Sequence, residues 1–233
     1  MKETSRMTTQ NRRLAPRPQL SDDVAAYVRD LIVSGQVRAG EFLRLENLAD
    51  QLGTSVTPVR EALVSLRGDG FVILRPRHGF VVAPFTKRDI LDIYQVQGYL
   101  AGELAARACQ TLSPDDVDQI RQIQTQLTKA HESNEVEEVE RLNHEFHRAI
   151  NIAAAAPKLS QFLVTATRYS PRRFFARIAG WTQASADDHD AILTALADGD
   201  PDRARATMCD HVFNAGALLA DHLESEGVWR EDA

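Results

Sequence analysis

Residues 48–82 read LADQLGTSVTPVREALVSLRGDGFVILRPRHGFVV, and this stretch decides the fold of the first part of the chain. A short helix over residues 45–52 should end at Gly53, because glycine readily adopts the left-handed conformation of a helix stop. Pro58 fits the first turn of a second helix, where no backbone donor is lost, and Gly70 closes that helix. The pattern predicts two short helices joined by a sharp turn.

The predicted second helix has one apolar and one polar side. Thr54, Ser55 and Thr57 stand at its start and can cap its first turn. The apolar side consists of residues at helical spacing, namely Val59, Ala62, Leu63 and Leu66. The front edge, with Thr57, Arg60 and Glu61, stays free of the core and is available to a partner.

A β-hairpin with a basic tip is predicted after the second helix. Residues 71–74 and 80–82 are runs of β-branched and aromatic residues. The tip between them consists of Arg75, Pro76, Arg77, His78 and Gly79. A polar helix N-terminus beside a basic hairpin tip is the combination that docks into a DNA groove.

The same residues resemble a known DNA-binding unit. The run TPVREAL at 57–63, followed by Leu66, Gly70-Phe71 and His78-Gly79-Phe80-Val81, is similar to the winged helix-turn-helix of the GntR family of bacterial transcription regulators. The resemblance implies that the recognition helix enters the major groove and that the wing reaches toward the minor groove. The residues that it assigns to DNA contact are Ser55, Thr57, Arg60, His78 and Gly79.

One position departs from that family. Val56 occupies a position that is most often an arginine, which contacts DNA in the family. Valine cannot donate a hydrogen bond to guanine or phosphate, although it can touch a thymine methyl group. We therefore expect DNA binding, but at an operator sequence that differs from those bound by relatives with arginine at this position.

The charge of the chain divides between its two parts. The net charge of −6 by itself argues against a nucleic-acid partner. Residues 1–85 hold 12 Lys+Arg and 9 Asp+Glu, a net of +3, whereas residues 86–233 hold 15 and 24, a net of −9. A basic front part supplies the salt-dependent attraction to phosphates. The arginines expected to supply it are Arg12, Arg13, Arg17, Arg44, Arg60, Arg75 and Arg77. For the first three, a solvated surface charge is an equally good explanation.

Length and composition bound the class of protein. With 233 residues and 43% hydrophobic content, the chain suits one large or two modest domains. No apolar run approaches a membrane span, and the polar, basic N-terminus lacks the pattern of a signal peptide. Cys109 and Cys209 form no CxxC pair, which fits a reduced, cytoplasmic protein.

The predicted organisation is mainly α, with a winged helix-turn-helix followed by an all-α antiparallel bundle. The segments are a flexible basic arm at 1–19, the DNA-binding domain at 20–84, a helical effector-binding and dimerisation domain at 85–228, and a tail at 229–233. Ser21 can cap the first helix, over residues 21–34. Six helices without a strand pattern follow the junction and indicate the bundle. Their ranges are 87–111, 114–133, 135–155, 158–178, 184–197 and 201–224.

Six of the seven histidines lie beyond residue 130. Asn143 and His147 are four residues apart and share a helix face, while His189 and His211 lie on two later helices. Three imidazoles from three helices can converge in a bundle and bind a divalent metal. On spacing alone, scattered histidines are more often surface or core residues.

A second resemblance favours the metal. The runs Asn143-His-Glu-Phe146-His147 and His189-Asp-Ala-Ile192-Leu193, with Ala204, Met208 and His211, resemble the FCD-type ligand domain that often follows this winged helix. The resemblance implies a divalent ion held by Asn143, His147, His189 and His211. Nitrogen-rich ligation favours later transition metals, so Zn, Ni and Mn stay open. Asn143 replaces the Asp of many relatives, which should weaken metal binding. His131, His144 and His222 are expected to face solvent.

The same resemblance implies a small organic acid as effector, bound at the metal. The helix after the junction usually carries Arg and Glu where this chain has Gln97 and Ala101. Gln97 can donate a hydrogen bond but brings no charge, so the effector is expected to differ from the usual acids. The further candidates for effector contact are Arg148, Arg168, Tyr99 and Asn214, and for the arginines surface placement is the simpler explanation.

We expect a cytoplasmic, homodimeric transcription regulator that binds a pseudo-palindromic operator, is controlled by a small organic acid, and is not an enzyme. The alternative is a metal-dependent hydrolase with an accessory DNA-binding module. Glu145 is the nearest acid in sequence to the expected ligands, but it points away from the face of His147. An architectural, sequence-independent DNA-binding role is a third hypothesis, and it leaves the histidines unexplained.

Overall fold

The computed structural model describes residues 19–171 and 181–228 of the chain. The predicted basic arm with Arg12, Arg13 and Arg17, and the predicted tail at 229–233, lie outside the described residues. Within them the chain is mainly helical, with one small sheet near the front, and the predicted fold class is confirmed.

The first unit contains three helices and three short strands. In chain order these are α1 (Gln19–Val33), β1 (Phe42–Leu43), α2 (Leu45–Gln51), α3 (Val56–Gly68), β2 (Val72–Arg75) and β3 (Gly79–Val82). The sheet is antiparallel in the order β1-β3-β2. Its register pairs Val72 with Val82 and Arg75 with Gly79, so β2 and β3 form the predicted hairpin.

Three details of the first unit differ from the prediction. Strand β1 was not predicted, because two residues are too few to show an alternating pattern. Helix α1 is already formed at Gln19, so Ser21 lies inside the helix and the prediction that it caps the helix is wrong. Ser55 does stand at the N-cap of α3, but its side chain makes no capping hydrogen bond.

The second unit is a bundle of long helices. The described elements are α4 (Lys87–Ala108), α5 (Pro114–Glu132), α6 (Val136–Ala153), α7 (Pro157–Ala166), a 3-10 turn (Thr167–Tyr169), α8 (Trp181–Ala197) and α9 (Pro201–Ser225). The predicted helix over 158–178 is wrong in its extent: α7 ends at Ala166 and passes into the turn, while residues 172–180 lie outside the described residues.

Two capping boxes start the bundle helices. Oγ1 of Thr86 accepts a hydrogen bond from the Asp89 backbone N–H, and the Thr86 backbone N–H donates one to the Asp89 carboxylate. Ser113 and Asp116 repeat the arrangement at α5, with Pro114 at the first helical position as predicted. These boxes satisfy backbone donors that a helix start otherwise leaves without partners.

The two units share one apolar core. Helices α4 and α9 pack so closely that a Cβ added at Gly98 or Gly216 would collide with Phe213 or Tyr94, respectively. The buried cluster continues from Leu219 on α9 to Phe71 and Phe80 in the first unit. The bundle is therefore packed directly against the DNA-binding unit. Among the described residues, no helix combines the length and apolar character needed to cross a bilayer.

Candidate nucleic-acid interface and metal centre

The start of α3 presents polar side chains to solvent. Ser55, Thr57 and Arg60 are exposed, while the predicted stripe on the other side of the helix is buried. The buried stripe is confirmed for Val59, Ala62, Leu63 and Leu66. Because the stripe fixes α3 on the core, the polar edge is held in a defined direction.

The hairpin tip is a tight turn of exposed basic residues. The His78 amide donates to the Arg75 carbonyl over 3.0 Å, which closes the turn. Arg77 and Gly79 have φ angles of 65° and 90°, the left-handed region that glycine tolerates and arginine rarely adopts. The turn thereby directs Arg77 and His78 outward beside α3.

A cleft of about 490 Å³ lies between the wing, β1 and α3. The structure brings five of the predicted DNA-contact residues together on its walls, and these are Arg44, Arg60, Arg77, His78 and Gly79. The predicted residues Ser55, Thr57 and Arg75 are exposed but do not line the cleft. Three guanidinium groups in one cleft form a concentrated positive surface, which suits a phosphate backbone.

Phe42 is a wall residue that sequence reasoning missed. Its side chain is 55% exposed, and its ring centroid lies 6.4 Å from that of His78. The missed strand β1 is what positions it, so the sequence carried no signal for its place. An exposed aromatic ring among arginines adds an apolar surface to the cleft.

The second site is a cluster of three histidines in the bundle. His147 on α6, His189 on α8 and His211 on α9 each offer one nitrogen, and these nitrogens lie within 4.8 Å of one another. The Nε2 atoms of His147 and His211 are 3.2 Å apart. Two nitrogens bound to one zinc ion are roughly 2.9–3.4 Å apart, given metal–nitrogen distances of about 2.0–2.1 Å. The closest pair already has that spacing.

Neighbouring side chains fix the protonation of two rings. The Nδ1–H of His189 donates to Oε1 of Gln124 over 2.7 Å, because an amide oxygen can only accept. The Nδ1–H of His211 donates to Oδ2 of Asp188 over 3.3 Å, and this hydrogen bond lowers the pKa of Asp188. Both histidines therefore present the lone pair of Nε2. Metal-binding histidines are oriented in this way by their outer partners.

Burial keeps two imidazoles of the cluster in the form that binds a cation. Loss of solvent, and then the proximity of His211, lowers the pKa of His147 and His189 well below the usual histidine value. Neutral imidazole is the ligand form. In addition, Nε2 of His189 and Oδ1 of Asn143 are buried without a protein hydrogen-bond partner. Nε2 of His189 belongs to the histidine cluster, and Asn143 lies one helical turn before His147 on α6, so one divalent ion would give both orphaned acceptors a partner. The residues present therefore fit a metal.

The ring of Phe146 packs against the histidine cluster. It stacks on His189 with a centroid distance of 3.9 Å and an interplanar angle of 9°, and it is fully buried. Sequence reasoning missed Phe146 as well as Gln124 and Asp188. A signal existed for Gln124, since it is a polar residue within the buried stripe of α5. Asp188 directly precedes a predicted ligand, but its orientation depends on α9.

The predicted effector residues are placed differently from one another. Gln97 is buried, and its Nε2 donates to the Ala166 carbonyl and to Oγ of Ser170. Asn214 is exposed, with Nδ2 3.4 Å from the same Asp188 oxygen that His211 contacts. The remaining candidates are exposed, and these are Arg148, Arg168 and Tyr99. His131 and His144 are exposed as predicted, whereas His222 is half-buried.

Comparison with known proteins matches each of the two units to a family. Residues 20–82 match the family described as bacterial regulatory proteins, gntR family, and residues 92–214 match the FCD domain. An HTH-type transcriptional regulator of Mycobacterium tuberculosis is 29% identical over 154 residues, covering 66% of this chain and 62% of that protein. The chain thus spans less than two thirds of that relative's length.

Two other relatives are matched over more of their length. The Nta operon transcriptional regulator of Aminobacter aminovorans is 29% identical over 78% of this chain and 86% of that protein. The solved structure of E. coli McbR/YncC superposes with a TM-score of 0.67 at 25% identity, covering 88% of this chain and 99% of that one. With both domains matched in sequence and the whole architecture matched in space, the chain belongs to the GntR family of bacterial regulatory proteins, among those whose second domain is an FCD domain.

Proposed function

We propose that the chain is a homodimeric transcription regulator that binds a pseudo-palindromic operator and responds to a small organic acid held at a divalent metal. The observation that carries the proposal is the basic cleft between α3 and the wing, with Arg44, Arg60 and Arg77 on its walls. Duplex DNA presents one negative charge per about 1.7 Å of its axis, so a rigid cleft with three arginines is a suitable receptor. A two-fold protein reads two-fold DNA, which is the reason to expect a palindrome.

The histidine cluster supports the metal-dependent part of the proposal. His147, His189 and His211 would hold the ion through nitrogen, and Asn143 would add an oxygen. Zinc, nickel and manganese are compatible with this donor set, and nitrogen ligation favours the later metals. When bound, the ion would supply positive charge that attracts an anionic carboxylate to the bundle.

Two of the proposed effector residues already have hydrogen-bond partners. Asn214 lies at the rim, through its contact with Asp188, and remains a proposed effector residue together with Arg148. Gln97 already bonds to Ala166 and Ser170, so an effector must break those hydrogen bonds to use it. Glu145, the acid considered for a hydrolase, is ion-paired with Arg141 at 2.6 Å and is not poised as a base.

Selection from random duplex DNA, using the full chain, tests the DNA-binding part. We expect an enriched two-fold sequence, with a complex that weakens as salt rises because counterions are released from the phosphates. An Arg60→Ala, Arg77→Ala double variant should lose the enrichment. Binding without sequence preference would instead favour an architectural protein.

Thermal unfolding with and without chelator tests the metal. Zinc at 100 times its dissociation constant should stabilise the chain by about 2.7 kcal/mol, because it binds the folded state. His147→Ala should remove that response, whereas His131→Ala, a change at an exposed histidine outside the cluster, should keep it. Metal analysis of the purified chain gives a second readout. A wild-type chain that neither carries nor responds to a divalent metal would contradict the proposal.

A further inference from the structure

The end of the recognition helix is bonded to the helical domain. Tyr169, in the 3-10 turn after α7, donates its hydroxyl to the carbonyl oxygen of Asp69 over 2.6 Å. Asp69 is the C-cap residue of α3. The ring of Tyr169 also stacks on Phe71 with a centroid distance of 4.6 Å and an interplanar angle of 24°. One side chain of the bundle thus contacts both the C-cap residue of the DNA-reading helix and Phe71, two positions beyond it.

Phe71 is held from other directions as well. The guanidinium carbon of Arg29, on α1, lies 5.6 Å from the centre of its ring. Phe85, in the junction between the units, lies 6.4 Å away by ring centroid. The Phe71 backbone is fixed by hydrogen bonds to Leu66 and Ala83. A shift of Tyr169 would therefore alter contacts of α1, the junction and the recognition helix together.

The turn that carries Tyr169 is anchored in the bundle. Gln97 donates to the carbonyl oxygen of Ala166 over 3.1 Å and contacts Oγ of Ser170 at 3.2 Å, on the two sides of the turn. Gln97 is buried in α4, and α4 packs along α9, the helix that carries His211. The contacts form a continuous path from the helices of the histidine cluster to the end of α3.

We propose that Tyr169 is a positioning residue that sets how the winged helix sits on the bundle, and hence the separation of the two recognition helices in the dimer. This inference rests on the proposed function, because the separation matters only to a dimer that reads two half-sites. We call the hydrogen bond of Tyr169 to Asp69 and its ring stack on Phe71 the clamp. Gln97 anchors the turn that carries Tyr169. The clamp consists of one hydrogen bond and one ring stack, so it can open without unfolding either unit.

Hydrogen exchange of the full chain tests the clamp without DNA. In Tyr169→Phe, peptides covering residues 66–72 should exchange about 2- to 12-fold faster, the effect of losing one neutral hydrogen bond. Tyr169→Ala should show a larger change because the stack is lost too. Peptides from 117–130 should keep wild-type rates, whereas a residue that only adds global stability would speed both regions. Tyr27→Phe, the same substitution at a tyrosine of α1 that is 39% exposed, is the matched control.

Operator spacing tests the consequence for DNA. Duplexes carrying the selected half-sites with one base pair inserted or removed should bind wild type much more weakly than the native spacing. Tyr169→Phe should reduce that penalty severalfold, while Tyr27→Phe keeps it. Unchanged exchange at 66–72 overturns the clamp, and faster exchange with an unchanged spacing penalty overturns its positioning role. If wild type selects no DNA, the proposed function fails, but the exchange measurement still decides whether the clamp exists.

Discussion

The DNA-binding face and the histidine cluster differ in exposure, in charge and in how the chain assembles them. The face around Arg60 and Arg77 is exposed, permanently charged and built from residues within one short stretch of chain. The cluster around His189 is largely buried, burial lowers the pKa of His147 and His189, and its three histidines come from three separate helices. Long-range attraction to a polyanion requires exposed charge, whereas a metal requires lone pairs that are shielded from competing protons.

This difference determines how each region should respond to mutation. At the exposed face, side chains are replaceable without loss of fold, so a change should affect binding alone. In the cluster, ligands and core are the same residues or direct neighbours, so a change should affect binding and stability together.

The largest expected effect is at Phe146, which underlies His189. Replacing Phe146 with Ala should lower the free energy of unfolding by about 3–5 kcal/mol, because a fully buried ring leaves a cavity. Phe162→Ala is the control: that ring is 65% exposed, and its loss should change stability by no more than about 0.5 kcal/mol. Urea unfolding measures both. Similar values for the two variants would show that the cluster is not part of the core.

A smaller effect is expected at Asp188, the partner of His211. Asp188→Ala removes the carboxylate that orients the ring, and outer partners of this kind contribute about 10- to 100-fold to metal affinity. Competition titration with a zinc indicator measures the change. Asp190→Ala, at an exposed acid on the same helix, controls for the loss of one negative charge. Equal losses in both variants would mean that net charge, not orientation, is responsible.

At the DNA face, Arg60→Ala should weaken operator binding about tenfold, near the lower end of the roughly 1–3 kcal/mol of a specific arginine contact. The slope of log affinity against log salt should also fall by about 1 if the contact is to phosphate. Arg67→Ala, in the last turn of the same helix and outside the cleft, should change affinity far less. Fluorescence anisotropy at several salt concentrations provides both quantities.

The same contrast explains what could be predicted from the sequence. The apolar stripe of α3 and the basic tip at Arg77 follow from local spacing and turn chemistry, so they were predicted correctly. Gln124 left only the signal of a polar residue in the buried stripe of α5, and its role, like that of Asp188, arises only when α5, α8 and α9 pack together. The hydrogen bond of Tyr169 to Asp69 joins residues 100 positions apart, and no local pattern encodes it.

Local patterns also failed where a tertiary contact overrode them. The sequence 158–178 has helical spacing, yet α7 ends at Ala166 and the chain tightens into a 3-10 turn that presents Tyr169 to Phe71. Strand β1 exists only because Phe42 and Leu43 pair with β3. A run of two residues is too short to predict that pairing. The side chains expected to bind a ligand could thus be named from the sequence, and the contacts that orient them could not.

The smallest predicted effect compares two serines at helix starts. Ser113 accepts a hydrogen bond from the Asp116 backbone, so Ser113→Ala should lower the free energy of unfolding by about 1 kcal/mol. Ser55 occupies the same position at α3 but makes no capping hydrogen bond, so Ser55→Ala should leave stability nearly unchanged. Chemical denaturation of both variants measures the difference.

For operator affinity, the expected order of the two serine substitutions is the reverse of their order for stability. Ser55 is exposed at the start of the recognition helix with its hydroxyl outside any cap, which leaves that group able to bond to a phosphate or a base. Ser55→Ala should therefore weaken operator binding severalfold, whereas Ser113→Ala should not. If Ser55→Ala lowers stability as much as Ser113→Ala and leaves operator affinity intact, the serine serves the helix rather than DNA, and the exposed face is less separate from the fold than its geometry indicates.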